Sequence, residues 1–277
     1  MFITVNNARI YYEIAGTGKN VLTMHGGPGI GDHGDHKKMF QTMEDRFRFV
    51  YYDQRGNGQS EHCDPSTYTH DQNVEDAEAL RKALDLGPVA LSGGSYGGIL
   101  ALEYALKYPA GLKCMILRGT AASYELQDAA FTNALNSNLP GVTREILEDL
   151  FYGRMKSNDD LRDKFSMIYP LYSTTYNPEK LTKMLARKEF YAATHNAFFT
   201  TAFPNYDIRG RLSEIRTPTL ILAGRHDWIT PMKFARELAD NMPNAYLEIF
   251  EQSGHSIHSD EPDKFYRVTE EFLNSYA

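Results

Sequence analysis

The residues best suited to chemistry lie in the run Gly93-Gly94-Ser95-Tyr96-Gly97-Gly98, which carries the pattern Gly-x-Ser-x-Gly between an apolar segment and a helical one. Turning from strand to helix within a few residues strains the backbone at the serine, and glycines two positions to either side remove side chains that would collide. Ser95 is thereby expected to stand out over the strand ends. A serine hydroxyl is a weak nucleophile at neutral pH and needs a base within hydrogen-bond reach, plus an acid to orient that base. In a strand-turn-helix setting the expected chain order is serine, acid, histidine. Asp227 in Gly224-Arg225-His226-Asp227 and His255 in Ser253-Gly254-His255-Ser256 both follow strand-like runs and supply that order. His226 precedes the acid, and His258 falls where the next helix should begin, so His255 is the preferred base. Asp227 has a plainer alternative as a turn residue or as the cap of a helix after Pro231.

A third element is His25-Gly26-Gly27-Pro28-Gly29, after the strand-like run Val21 to Met24. Acyl transfer needs donors aimed at the oxygen that becomes negative, and backbone N–H groups of a glycine-rich loop can approach it closely. The expected donors are the N–H groups of Gly27 and Tyr96. His25 and Gly26 are read as supporting residues of that loop. Asp53 and Arg55, in Asp53-Gln54-Arg55-Gly56-Asn57-Gly58-Gln59-Ser60, are read as an internal charge pair bracing it. Asp32-His33-Gly34-Asp35-His36 has metal-capable side chains but lacks the helical two-histidine spacing of a zinc protease, so it is read as a solvated polar loop. The chemistry requires neither a metal nor a cofactor.

These residues need a scaffold that brings strand ends together. Residues 2 to 14 alternate weakly around Asn6-Asn7, which predicts a hairpin. Strand-like runs follow at Val21 to Met24, Phe47 to Tyr52, Val89 to Ser92, Cys114 to Arg118, Thr219 to Ala223 and Ala245 to Phe250. Helical patterns fall at Val74 to Leu84, Ile99 to Tyr108, Pro231 to Asn241 and Lys264 to Ser275. The alternation predicts an α/β class, a mostly parallel sheet with helices on both faces. Between residues 123 and 216 it stops, and several helical stretches separated by prolines and glycines read as an inserted lid on a core of residues 1–122 and 217–277. That segment holds 14 of the 34 aromatic residues, so some should line a pocket while most form the lid's own core.

Composition sets the surroundings. With 277 residues and a formal charge of −7, the chain is long enough for a large core and offers no basic footprint for nucleic acid or anionic lipid. No stretch is apolar and long enough for a membrane span, and the N-terminus lacks the features of a signal peptide, which makes the cytoplasm the expected location. The two cysteines, Cys63 and Cys114, are far apart and indicate neither a disulfide framework nor a zinc knuckle.

Together the motifs resemble the α/β-hydrolase fold, and within it the proline iminopeptidase family of serine peptidases. The likeness covers residues 1 to about 122 and 217 to 277 and is weaker across the lid. It implies Ser95, Asp227 and His255 as a catalytic triad, Gly27 and Tyr96 as oxyanion-hole residues, and a small-molecule or short-peptide substrate that loses its N-terminal residue. Family aminopeptidases hold the substrate amine with lid glutamates, whereas this chain reads Thr194-His195-Asn196-Ala197-Phe198 in the corresponding stretch. Glu189 is the nearest carboxylate, and Asn196 and Phe198 join it as candidate substrate-binding residues. Without a glutamate in that stretch, carboxylester or lactone hydrolysis of neutral acyl substrates stands as the alternative.

Overall fold

Asn6 and Asn7 adopt left-handed φ values of 47° and 60°, and fold β1 (Phe2–Val5) back on β2 (Ala8–Ala15) in a computed structural model that describes residues 1–277. The remaining strands are β3 (Lys19–Met24), β4 (Phe47–Tyr52), β5 (Val89–Gly94), β6 (Leu112–Arg118), β7 (Thr219–Gly224) and β8 (Ala245–Phe250). They form one sheet in the order β1-β2-β4-β3-β5-β6-β7-β8, antiparallel through β2 and β4 and parallel from there on. Alternate side chains of each strand leave on opposite faces. Met115 and Leu117 of β6 therefore join one apolar cluster, and Cys114 and Ile116 the other.

Helices cover both faces. On one lie α2 (His70–Ala83), α3 (Tyr96–Lys107) and α9 (Met232–Asn241), which bury Val74, Leu80, Leu102, Phe234 and Leu238. On the other lie α1 (His33–Phe40) and α11 (Pro262–Tyr276), through Met39, Phe40, Phe265 and Leu273, with the short α10 (Ile257–Asp260) between β8 and α11. Between β6 and β7 the chain adds no strand to the sheet. It forms α4 (Leu126–Asn136), α5 (Arg144–Phe151), α6 (Asn158–Ile168), α7 (Pro178–Arg187), α8 (Ala192–Ala197) and a π-helical turn over Phe198–Ala202, with a separate apolar cluster that includes Leu147, Leu161, Phe190 and Trp228. No helix is long and apolar enough to cross a membrane.

Two sequence readings are corrected. The run from Asp32 to His36 is no solvated loop: it opens α1, with the Asp32 side chain accepting from the Asp35 N–H. Lys188, nearly buried, reaches the carboxylates of both Asp32 and Asp35, and His36 lies inside with Nε2 3.0 Å from Arg118 Nη2. Polar composition hid a helix whose polar groups are used internally. Nor do Asp53 and Arg55 pair with each other. Arg55 makes a two-pronged bond to Asp76 of α2 at 2.6 and 2.8 Å, and Asn6 Nδ2 donates to the same carboxylate at 3.0 Å, tying the hairpin to the helix. Asp53 instead accepts from the His33 backbone N–H at 2.6 Å and lies 2.9 Å from its Nδ1.

Both members of the Arg55–Asp76 pair are almost fully buried. Removing one partner strands the other's charge away from water. Asp76→Ala is therefore expected to cost about 3–5 kcal/mol, read as a lowered urea midpoint. Protonation supplies a second test. Burial holds His25, His36, His195 and His258 below the ordinary histidine value, His195 at about 4 and His258 at about 3, so the unfolded chain takes up protons near pH 6.5 that the folded chain refuses. Folding stability must then fall as pH drops below about 6.5. His33 works the other way: burial lowers it, but the hydrogen bond and charge of Asp53 outweigh that and raise it. With four groups against one, the urea midpoint should be lower at pH 5.5 than at pH 7.5.

Candidate active site

Ser95 sits at φ 54° and ψ −121°, immediately after β5 and immediately before α3. Such a backbone is costly for any residue with a Cβ and persists only where neighbours hold it. Ser95 N–H donates to the Arg118 carbonyl at 2.8 Å, and the Thr120 hydroxyl donates to the Ser95 carbonyl at 2.9 Å, so the end of β6 holds the turn from one side. On the other side α3 starts so close to β3 that a Cβ at Gly97 would lie 2.0 Å from the Met24 carbonyl oxygen. Only glycine permits that approach.

Asp227 and His255 come from the loops after β7 and β8. Asp227 Oδ1 accepts from the N–H groups of Ile229 and Thr230, both at 2.9 Å, and Oδ2 accepts from the Thr230 hydroxyl at 2.6 Å. Oδ2 also lies 2.7 Å from His255 Nδ1. A carboxylate accepting these bonds requires the proton on Nδ1, which leaves Nε2 of the neutral ring as a free acceptor. The plainer reading of Asp227 as a turn residue is also correct in part, because the same carboxylate organises its own turn and orients the imidazole. Thr230, three residues on, was absent from the sequence reading; an acid followed by threonine at that spacing is the local signal for such a turn.

Serine and imidazole meet at a common corner. A Cβ at Gly119, between Arg118 and Thr120, would lie 2.8 Å from His255 Cε1 and 3.1 Å from Asp227 Oδ2. Ser95 is bonded to both of Gly119's neighbours. The Ser95 hydroxyl is not hydrogen-bonded to His255 in this structure, and contacts of this type tighten when substrate is bound. Tyr172 packs edge-on against His255, with ring centroids 5.5 Å apart, and lines the same cavity as Ser95.

The glycine-rich loop after β3 is held by the loop after β4. His25 Nε2 accepts from the Gln54 N–H at 3.1 Å, the Gln54 side chain donates to the His25 carbonyl at 2.8 Å, and the Gly29 N–H donates to Asn57 Oδ1 at 2.7 Å. Burial keeps His25 neutral, as an acceptor must be. Gly26 packs directly against the Ser95 turn, since a Cβ there would lie 3.0 Å from Ser95 Cβ. The Gly27 N–H makes no hydrogen bond within the protein, and the Tyr96 N–H lies ahead of the intrahelical ladder as the first residue of α3. Both residues line the cavity with Ser95.

That cavity separates the expected substrate contacts. Phe198 lines it, together with Phe151, Phe165, Phe199 and Phe203, but Glu189 and Asn196 do not. Glu189 is exposed, accepts from the Tyr191 hydroxyl, and borders a different, wholly polar cleft beside Asp32, Asp53 and Arg187. The Asn196 amide is committed at both ends to the Met155 backbone, each bond 2.9 Å long. Of nineteen lining residues none is Asp, Glu, Lys or Arg. His195, which the sequence reading passed over, is among them.

Comparison with known proteins agrees with this architecture. Residues 19–262 match the family model described as alpha/beta hydrolase fold. Proline iminopeptidase PfmaB from Pestalotiopsis fici is 32% identical over 269 residues, covering 95% of each chain. The proline iminopeptidase of Clostridioides difficile is 31% identical over 281 residues, covering 96% of this chain and 95% of its own. An alpha/beta fold family hydrolase from Bacillus anthracis has a solved structure that superimposes with a TM-score of 0.79 at 25% identity, covering 99% of this chain and 98% of its own. On fold, on the order of its strands and on sequence, the chain belongs to the α/β hydrolase fold family, on the branch whose curated members include proline iminopeptidases.

Proposed function

We propose that the protein is a serine hydrolase of neutral, apolar acyl substrates, a carboxylesterase or lactonase, with residues 123–216 acting as the lid that forms the acyl cavity. Ser95 Oγ attacks the acyl carbon while His255 Nε2 takes its proton. Asp227 holds the Nδ1–H and stabilises the imidazolium. The oxyanion accepts from the N–H groups of Gly27 and Tyr96, each such donor being worth about 3 kcal/mol of transition-state stabilisation. The imidazolium then protonates the leaving group, and water activated by the same histidine releases the acyl chain from Ser95.

The observation that carries the substrate class is the cavity wall. A free α-amine is a full positive charge, and burying it without a carboxylate costs several kcal/mol. No carboxylate lines the cavity, whereas seven phenylalanine and tyrosine rings do: Tyr96, Phe151, Phe165, Tyr172, Phe198, Phe199 and Phe203. A second reading, release of N-terminal residues from short peptides, is favoured by the names of the two relatives above. It requires an amine to reach Glu189, which opens on the other cleft.

A substrate panel separates the two. The expected result is turnover of neutral 4-nitrophenyl esters or lactones that exceeds that of aminoacyl naphthylamides. Aminoacyl turnover that exceeds ester turnover and vanishes on acetylation of the amine would reverse the assignment in favour of the peptidase. Within the same assay, Asp227→Asn should lower kcat about 10⁴-fold by presenting the wrong tautomer, and Ser95→Ala should abolish both turnover and labelling by a fluorophosphonate probe.

A further inference from the structure

His195, on α8, is 3% exposed, and its ring packs against Phe199 with centroids 4.8 Å apart. It is the only cavity-lining residue able to carry a charge near neutral pH, yet burial holds it at about 4 and therefore uncharged. Its Nδ1 is sealed from solvent and so from the cavity, which leaves Nε2, bonded by no protein group, as the ring nitrogen open to it. The neighbouring Asn196 side chain bonds the Met155 backbone at both ends. A cavity-facing nitrogen with no protein partner is a place where a ligand that displaces water must supply the bond.

Most other polar groups of the cavity are already bonded. The Thr120 hydroxyl bonds the Ser95 carbonyl, the Thr230 hydroxyl bonds Asp227 and the Tyr96 hydroxyl accepts from Asn73 Nδ2, which leaves the Tyr172 hydroxyl, whose ring lies against His255 at the reacting end, as the competing polar group. His195 sits on the lid against the glycine-rich loop: a Cβ at Gly29 would lie 2.8 Å from its backbone N. It thus offers one uncharged nitrogen, donor or acceptor according to its tautomer, on a wall that is otherwise mostly apolar.

We propose that His195 is the specificity-determining residue of the acyl cavity, selecting acyl chains that carry an uncharged oxygen substituent, such as a ketone or hydroxyl, over plain hydrocarbon chains. The proposal rests on the reading of Ser95 as the nucleophile of a neutral-acyl hydrolase. A charged substituent is disfavoured because no opposite charge faces it. A plain chain fits the rings but leaves the imidazole unpaired in a cavity from which water has been displaced. Sites that hydrogen-bond a substrate group reject analogues lacking it far more strongly than apolar walls reject an altered chain.

The test uses 4-nitrophenyl hexanoate beside its 3-oxo, 4-oxo and 5-oxo analogues, which differ only in a ketone and its position. The wild-type protein should turn over at least one oxo ester with kcat/KM about 10-fold to 100-fold above that of the plain ester. His195→Phe should abolish that preference while retaining turnover of the plain ester, with the loss falling mainly on KM. His195→Gln, which restores a donor and an acceptor, should recover part of it. No preference in the wild type overturns the proposal, and so does a preference that survives His195→Phe or is lost instead in Tyr172→Phe. The wild-type comparison decides even if the phenylalanine variant fails to fold. Failure of the underlying reading looks different: no ester is hydrolysed and the fluorophosphonate leaves Ser95 unmodified.

Discussion

The left-handed backbone at Ser95 is the constraint from which the site follows. Holding a non-glycine residue at φ 54° costs about 1–3 kcal/mol, and the cost is met by neighbours on both sides of β5. The end of β6 binds the turn through Arg118 and Thr120, and the end of β3 lies against Gly97. Those same two strand ends lead into the corner that borders His255 and into the loop that carries Gly27. Parallel strands in the order β3-β5-β6-β7-β8 thus deliver the Gly27 loop, Ser95, the Gly119 corner, Asp227 and His255 to one end of the sheet. Open α/β sheets place their ligands in this crevice for the same reason, because strand ends are where loops from distant parts of the chain converge.

The inserted helices are tied to this end of the sheet by a different kind of contact. The Thr194 hydroxyl donates to the Gly56 carbonyl at 2.6 Å, the Tyr191 hydroxyl to the Gly58 carbonyl at 2.9 Å, and the Tyr191 N–H to the Gly29 carbonyl at 2.8 Å. These bonds use backbone acceptors in loops that already brace the glycine-rich turn. They leave the inward faces of the helices free to vary in chemistry. The lining can therefore change without disturbing that end of the sheet, which explains how a chain whose relatives are named iminopeptidases can present a cavity with no carboxylate. Function in such a fold resides in the grafted site rather than in the scaffold.

The parts of the molecule that were legible beforehand are those in which a local pattern has a local cause. Asn6-Asn7 signals the hairpin because asparagine tolerates left-handed backbone, and Gly-x-Ser-x-Gly signals the turn because only glycine fits beside it. The placements of Asp227 and His255 follow from strand-end loops, which periodicity marks well. What escaped were choices of partner across the fold. Arg55 had Asp53 two positions away and pairs instead with Asp76, because its side chain is turned toward α2 whereas that of Asp53 is turned toward α1. Asp53 selected His33, which recruited the supposed polar loop into a helix. Glu189 and Asn196 carried suitable chemistry, but one faces another cleft and the other clamps the chain to itself. His195 was invisible for the complementary reason: a histidine among apolar neighbours looks like packing, and its meaning lies in a hydrogen bond that no part of the protein makes. Composition and spacing record which groups are available, whereas the unfilled valence that directs recognition exists only once the surrounding walls are closed.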